Sequence, residues 1–189
     1  MRGNIGGVID DAARWDERYA GRATGEPSAP KGLEGIELDP GLCLDVASGL
    51  GEQSLWAATL GFVVVALDVS PVAIDALRRS ATAHGLADRI DARVVDLDAG
   101  IPGDLNARCS LVICQRFRSR DLYPQLVQAL TPGGVLVITV LSHVGALEPG
   151  RFHAAPGELF DAFSALDVEI ERSQEAGGEA TLAARRISA

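Results

Sequence analysis

Four nearly continuous apolar runs, Leu42 to Val46, Phe62 to Leu67, Leu111 to Cys114 and Val135 to Leu141, recur along the chain with helical segments between them. A strand that is apolar on both faces is stable only where helices cover both sides of its sheet. The pattern therefore predicts an α/β fold, a doubly wound and mostly parallel sheet with helices on both faces. Ligands of such sheets bind beyond the carboxyl ends of the strands. Asp45, Asp68, Asp96, Gln115 and His143 all fall at or just past such ends.

The remaining segments fit this frame. Ala12, Trp15 and Tyr19 share one face of a leading helix expected over residues 10–20, a lid that Gly21 ends. Residues 21–40 are rich in Gly and Pro and read as a mobile connection, and 41–189 as the core of a single domain spanning 1–189. Ser70 caps a helix with Pro71 at its first position; Ile74, Leu77 and Ala81 form its inner face, and Arg78, Arg79 and His84 lie near its negative end. A further helix is expected from Asp121 to Leu130, stopped by Thr131-Pro132-Gly133-Gly134. Pro156 is expected to open a short helix that carries Leu159, Phe160 and Phe163. Ile90 to Val94 and Leu166 to Ile170 alternate apolar and polar residues, as edge strands do. Glu175-Ala176-Gly177-Gly178 is a tight hairpin, which makes the final strand, Ala180 to Ala184, antiparallel to its predecessor.

Bulk properties narrow the partners. With 189 residues, 47% of them hydrophobic, the chain suits one domain with a large core. A net charge of −9 argues against nucleic acid, whose phosphates require a basic face, and favours a small or uncharged substrate. Ile5 to Ile9 is too short for a signal peptide and is followed at once by Asp10 and Asp11; no membrane-spanning stretch occurs. Cys43, Cys109 and Cys114 sit in or beside apolar runs and read as free thiols in a reducing cytoplasm.

The stretch from Leu44 to Glu52 carries the most chemistry. An apolar strand holding Asp45 breaks into a small-residue turn, where Gly49 and Gly51 allow a ligand to lie directly on the main chain. A glycine turn followed by an acid, Asp68, at the end of the next strand suits both dinucleotides and S-adenosylmethionine, because both offer ribose hydroxyls. Two features weigh against a dinucleotide: the third glycine of G-x-G-x-x-G falls at Ser54, and Asp45 places negative charge before a turn meant for pyrophosphate. That charge suits a sulfonium with an ammonium-bearing tail. Asp96 is placed to accept from an adenine amino group.

Asp45-Val46-Ala47-Ser48-Gly49-Leu50-Gly51 resembles the first motif, acid-x-G-x-G-x-G, of the class I S-adenosylmethionine-dependent methyltransferases, with Ala47 at the first glycine. Trp15-Asp16-Glu17-Arg18-Tyr19 is similar to the start of the small tellurite-resistance and thiopurine members, whose leading helix covers the cofactor. The resemblance implies a seven-stranded sheet in the order 3-2-1-4-5-7-6, with the alternating third and sixth strands at its edges. It also implies a cofactor site of Asp45, Ala47, Ser48, Gly49, Gly51, Asp68, Val69, Asp96, Leu97 and Gln115. Within it Gly49 and Gly51 back the methionine and ribose, Asp68 accepts from the ribose, and Asp96 with the Leu97 backbone holds adenine. Arg18 is either a partner for the methionine carboxylate or a surface arginine.

The acceptor side is less determined. His143, past the fifth strand, is either a general base for a hydroxyl acceptor or a solvated loop histidine. His153 either lines the pocket or belongs to an ordinary loop, and His84 is structural. Trp15 and Tyr19 stack on a ligand or pack as core. Arg116, with Arg118 and Arg120, binds an anionic or polyhydroxylated acceptor or pairs with the abundant acids. The reading contains no metal ligand and leaves the oligomeric state open. It favours methyl transfer to a small-molecule hydroxyl, with a likeness to actinobacterial sugar O-methyltransferases. Its alternatives are a sulfur-, selenium- or tellurium-directed enzyme of the thiopurine/tellurite type and a non-catalytic cofactor-binding module.

Overall fold

A computed structural model of the chain describes residues 5–187, with side chains from Ala12 onward. Residues 1–4 and 188–189 lie outside the described residues, as do the side chains of 5–11, on which the expectation of no leader peptide rested.

The central strand is β1 (Leu42–Val46), parallel to β2 (Val63–Asp68) on one side and β4 (Cys109–Gln115) on the other. Outward from β2 lies β3 (Ile90–Val94); outward from β4 lies β5 (Leu130–Leu141). β7 (Glu179–Arg186) runs antiparallel between β5 and β6 (Val168–Ala176). The seven strands are ordered β3-β2-β1-β4-β5-β7-β6, the arrangement that the motif resemblance implies. β3 and β6 are the edges, as their alternating sequences predict. Gly177 and Gly178 both take positive φ, 60° and 85°, and close the β6–β7 hairpin.

Period-two alternation divides the core between the two faces of the sheet. Leu44, Val46, Val112, Cys114, Leu136 and Ile138 face α4 (Tyr123–Ala129) and α5 (Glu158–Ser164), which add Leu126, Leu159 and Phe163. Cys43, Val64, Leu111, Ile113, Val135 and Val137 face the other side, where Ala57 and Ala58 of α2 (Glu52–Thr59) and Leu33 cover them. α3 (Pro71–Ala83) completes that side, with Ile74, Leu77 and Ala81 against Ala66 and Ala92. Each such fully buried aliphatic side chain contributes about 1.5–3 kcal/mol. Ser70 caps α3 as expected, its hydroxyl accepting from the Ala73 N–H at 3.1 Å.

Several boundaries differ from the sequence expectation. The leading helix α1 spans Ile5–Tyr19 and so starts before Asp10, because backbone hydrogen bonding continues beyond the residues that show an apolar period. The helix expected from Asp121 begins as a 3₁₀ turn over Arg120–Leu122 and becomes α-helical only at Tyr123. Thr131 to Gly134 do not separate helix from strand. They form a wide bulge at the start of β5, where Leu130 pairs with Cys109 and Val135 already pairs with Leu111. α5 starts at Glu158 after Gly157, and Phe160 faces solvent, so only Leu159 and Phe163 point inward. Arg78 does not tend the end of α3; it reaches sideways to donate to the Ala92 carbonyl. His84 does tend it, its Nδ1 lying 2.8 Å from the Ser80 carbonyl oxygen.

Residues 22–40 carry no regular secondary structure. They run over the sheet as a strap, with Leu33 in the core and Ile36 and Leu38 packed beside it. The strap is tied at Thr24, whose hydroxyl donates to the Leu50 carbonyl, and at Glu52, which accepts from Gly25 and Ser28.

Candidate active site

The turn after β1 is assembled from backbone groups and buried acids. Asp68, at the end of β2, accepts from the Gly49 N–H at 2.8 Å through one carboxylate oxygen and from the Ser70 N–H at 2.9 Å through the other. The Val69 N–H also faces this carboxylate. Burial raises the Asp68 pKa, and those N–H groups oppose the rise. Asp45 is 2% exposed and accepts from the Ser54 hydroxyl at 2.5 Å. Burial pushes its carboxyl up to about 7. The residue that a dinucleotide fingerprint would make glycine, Ser54, is thus the partner that holds the motif's acid.

The small residues of the turn have distinct tasks. Gly51 has φ +86°, and a Cβ there would lie 2.4 Å from Leu77 Cδ1, so glycine is required at this point for α2 to pack on α3. Gly49 has φ +54°, and a Cβ there would lie 2.9 Å from the Tyr19 hydroxyl, so its bare Cα faces the leading helix and the space beneath it. Ala47, standing where the motif has glycine, is itself left-handed at φ 54°, a strain of roughly 1–2 kcal/mol for a residue with a Cβ. Ser48 is 5% exposed, and its hydroxyl has no hydrogen-bond partner.

α1 lies across these strand ends. Its Asp16 carboxylate accepts from the Ser70 hydroxyl at 2.5 Å and from the Val72 N–H, which docks it on the start of α3. Tyr19, one turn on, sits over Gly49, and burial with the nearby Asp68 charge raises its phenol to about 12. Trp15 stacks on Tyr19 at 5.6 Å between ring centroids. Arg18 lies over the Trp15 ring at 5.4 Å.

Past the end of β3, Asp96 accepts from the Asp98 N–H at 3.0 Å and Leu97 is buried. A cleft of about 270 Å³ opens beside them, lined by Leu97 to Gly100 and by Ser119, Asp121, Leu122 and Gln125. Gln115 ends β4, half-buried, its amide donating to the Cys114 carbonyl. Arg116 follows with φ 58°, and its guanidinium is held by Glu179 on β7, as is the Lys31 ammonium. Arg118 forms a two-pronged pair with Glu158, which also accepts from the Tyr123 hydroxyl. Of the three arginines expected near the acceptor, two are therefore paired with acids.

His143 is exposed, just beyond β5, and its N–H donates to the Ala154 carbonyl at 3.0 Å. The His153 ring lies 5.9 Å from that of His143, and its Nδ1 accepts from the Gly150 N–H at 2.9 Å. The structure thus brings the two histidines together. Sequence reasoning missed Asp16, Arg14, Arg151 and Phe152. Arg14 lies over both Trp15 and Phe152, and Arg151 lies over Phe152. Asp16 belongs to the WDERY string, so its place was visible although its partners, more than fifty residues away, were not.

A doubly wound sheet with an antiparallel seventh strand, a glycine turn and acids at successive strand ends defines the class I methyltransferase architecture. The unpartnered Ser48 hydroxyl and the bare main chain of Gly49 beneath Tyr19 fit a polar nucleoside ligand on the turn. Comparison with known proteins agrees: residues 43–134 match the methyltransferase domain family. The ribosomal protein L11 methyltransferase of Symbiobacterium thermophilum is 36% identical over 103 residues, 54% of this chain and 33% of that protein. The chain thus spans about a third of the length of the curated relatives it matches.

Two solved structures share the fold. Geranyl diphosphate C-methyltransferase from Streptomyces coelicolor, solved with S-adenosyl-L-homocysteine, superposes with a TM-score of 0.74 at 13% identity over 97% of this chain and 100% of that one. TehB from Haemophilus influenzae superposes at 0.65 and 20% identity, over 98% and 62%. Residues 43–134 thus match a methyltransferase domain family, and the sheet as a whole has the class I methyltransferase fold. Among the described residues no helix is long and apolar enough to cross a membrane.

Proposed function

We propose that the protein transfers a methyl group from S-adenosylmethionine to a hydroxyl of a small molecule, such as a sugar, with His143 as general base. The observation that carries this reading is the chain of contacts from the cofactor turn to His143: Tyr19 over Gly49, Trp15 on Tyr19, Arg14 between Trp15 and Phe152, and His153 beside His143. An acceptor lying under this rim meets the cofactor turn at one end and an imidazole at the other.

The cofactor supplies an electrophilic methyl on a sulfonium. Gly49, Ser48, Asp68, Asp96 and the Leu97 backbone would hold it, with Asp45 behind the turn and Arg18 available to its carboxylate. His143 takes the hydroxyl proton as the oxygen is alkylated. A positioned general base contributes about 10²- to 10⁴-fold. α1, docked through Asp16, excludes water from the site. Three buried thiols accord with a reducing cytoplasm.

The first test is calorimetry with S-adenosylhomocysteine, with NAD as control, followed by an acceptor screen that starts with sugars. His143→Ala should then lower kcat about 100-fold or more while leaving the S-adenosylhomocysteine affinity unchanged. Unaltered turnover would exclude the base role. The likeness to TehB favours a second reading, methylation of a thiol or metalloid, in which no base is needed and His143 is dispensable. Ribosomal protein L11 belongs in the same screen because of the curated relatives, and turnover on it alone would replace the small-molecule acceptor.

A further inference from the structure

We propose that Glu175 is the positioning residue for His143: one carboxylate on β6 clasps both ends of the 142–157 loop and so fixes where that imidazole stands. The inference rests on the reading of His143 as general base and names what holds that base in place. The loop contains no helix or strand, only an isolated bridge between Ser142 and Ala154, yet it carries both His143 and His153. Irregular loops of this length are commonly mobile, whereas a general base acts only within hydrogen-bond reach of the proton it takes. His143 therefore needs a brace.

The brace comes from the β6–β7 hairpin. Glu175 Oε1 accepts from the Ser142 hydroxyl at 2.5 Å and its Oε2 from the Gly157 N–H at 2.8 Å, so one side chain joins the two ends of the loop. Ser142 is fully buried, and its Oγ accepts in turn from the Val144 N–H at 3.0 Å. At the hairpin tip the Gly178 carbonyl accepts from the Ser142 N–H and the Gly178 N–H donates to the Val144 carbonyl, both at 2.8 Å. Gly145, at φ +74°, passes so near the tip that a Cβ there would lie 2.8 Å from the Gly177 nitrogen. The two residues that flank His143 are thus held from the hairpin side, while its own N–H is held by Ala154, the neighbour of His153. These contacts fix the backbones from which the two imidazoles project, and the rings stand 5.9 Å apart. Glu158, Glu171 and Glu179 each meet an arginine; Glu175 instead commits both oxygens to this loop. Its two acceptors face two donors, so reach matters here more than charge. A misplacement of about 1 Å in a site can cost roughly 100-fold in rate.

The test compares Glu175→Asp, whose shorter arm reaches only one end of the loop, with Glu175→Gln, which keeps the length and can donate to Ser142 Oγ while accepting from Gly157. The full chain holds three histidines, so NMR resolves each ring. With S-adenosylhomocysteine bound, cross-relaxation between the His143 and His153 ring protons should be present in the parent chain and in Glu175→Gln and absent in Glu175→Asp. With S-adenosylmethionine and glucose, Glu175→Asp should lower kcat about ten-fold or more with little change in KM, and Glu175→Gln should keep most of it. In a His143→Ala background Glu175→Asp should cost less than about two-fold further, because the two residues act as one unit. S-adenosylhomocysteine affinity should be unchanged in every variant, which verifies that they fold. A ring contact absent from the parent chain or surviving Glu175→Asp, a Glu175→Gln variant as impaired as Glu175→Asp, or an equal loss with and without His143 would overturn the inference. If His143→Ala turns glucose over at full rate while the ring contact still depends on Glu175, the base reading falls and the clasp stands. If the parent chain leaves glucose unmethylated, the ring contact decides alone.

Discussion

The glycine turn after β1 and the α1 rim are neighbours built by opposite means. The turn uses backbone N–H groups, bare Cα atoms and acids buried to within a few per cent, all supplied by residues 45–70 and braced by α2 and α3. The rim uses exposed or half-exposed rings and guanidiniums, contributed by segments more than a hundred residues apart. A site made of main chain tolerates little substitution, because each atom is also part of the packing. A rim made of side chains is free to change without disturbing the sheet, so under the proposed function it is the rim that would set the acceptor.

Inserting a methyl group in each region tests that contrast most strongly. Gly51→Ala meets Leu77 at 2.4 Å with φ +86° and should cost about 2–5 kcal/mol in urea unfolding, the sum of left-handed strain and overpacking. Gly150→Ala in the rim loop meets only His153 Nδ1, at 3.9 Å, and should change stability by less than about 0.5 kcal/mol. Equal costs would mean that the two regions are packed alike.

Next in size is the pH response of Asp45. Its folded pKa of about 7 stands above its ordinary value of 3.8, so between these limits the native chain holds a proton that the unfolded chain has released. Stability should therefore fall as pH rises through this window and level off above it. Asp45→Asn should remove that part of the slope in urea midpoints taken from pH 5 to 8. Asp68, also raised, contributes in the same direction and remains in the variant. Glu158 and Glu179, lowered by their arginine and lysine partners, contribute with the opposite sign and only below their ordinary value of 4.5. A cation on the turn favours ionised Asp45, so S-adenosylmethionine binding should release protons near pH 6, visible as a buffer-dependent calorimetric enthalpy. A buffer-independent enthalpy would remove Asp45 from cofactor recognition.

The smallest effect expected is a gain. Ala47→Gly relieves the left-handed strain at φ 54° but adds freedom to the unfolded chain, which leaves a net stabilisation of about 0.5–1 kcal/mol. A loss would show that the Ala47 methyl earns its place by packing on the core around Leu97 and Cys114.

Much of the architecture was legible because its signals are local. Apolar runs, the Ser70-Pro71 cap, the edge alternation of Ile90 to Val94 and the Gly177-Gly178 turn each act within a few residues. Long-range features were not. Thr131 to Gly134 read as a stop, yet they form a bulge because Cys109 and Leu111 on the neighbouring strand impose the register. Phe160 is apolar like its neighbours, but α5 buries the face that carries Leu159 and Phe163 and leaves Phe160 in solvent.

The site divides in the same way. The sequence by itself determined that Asp45, Gly49, Asp68 and Asp96 stand at strand ends around one turn, because strand periodicity and turn chemistry are properties of adjacent residues. Only the tertiary structure decided that Gly51 serves Leu77, that Arg116 belongs to Glu179, and that Arg14 reaches Phe152. Long side chains choose partners by distance in space, and that distance exists only once the chain has folded.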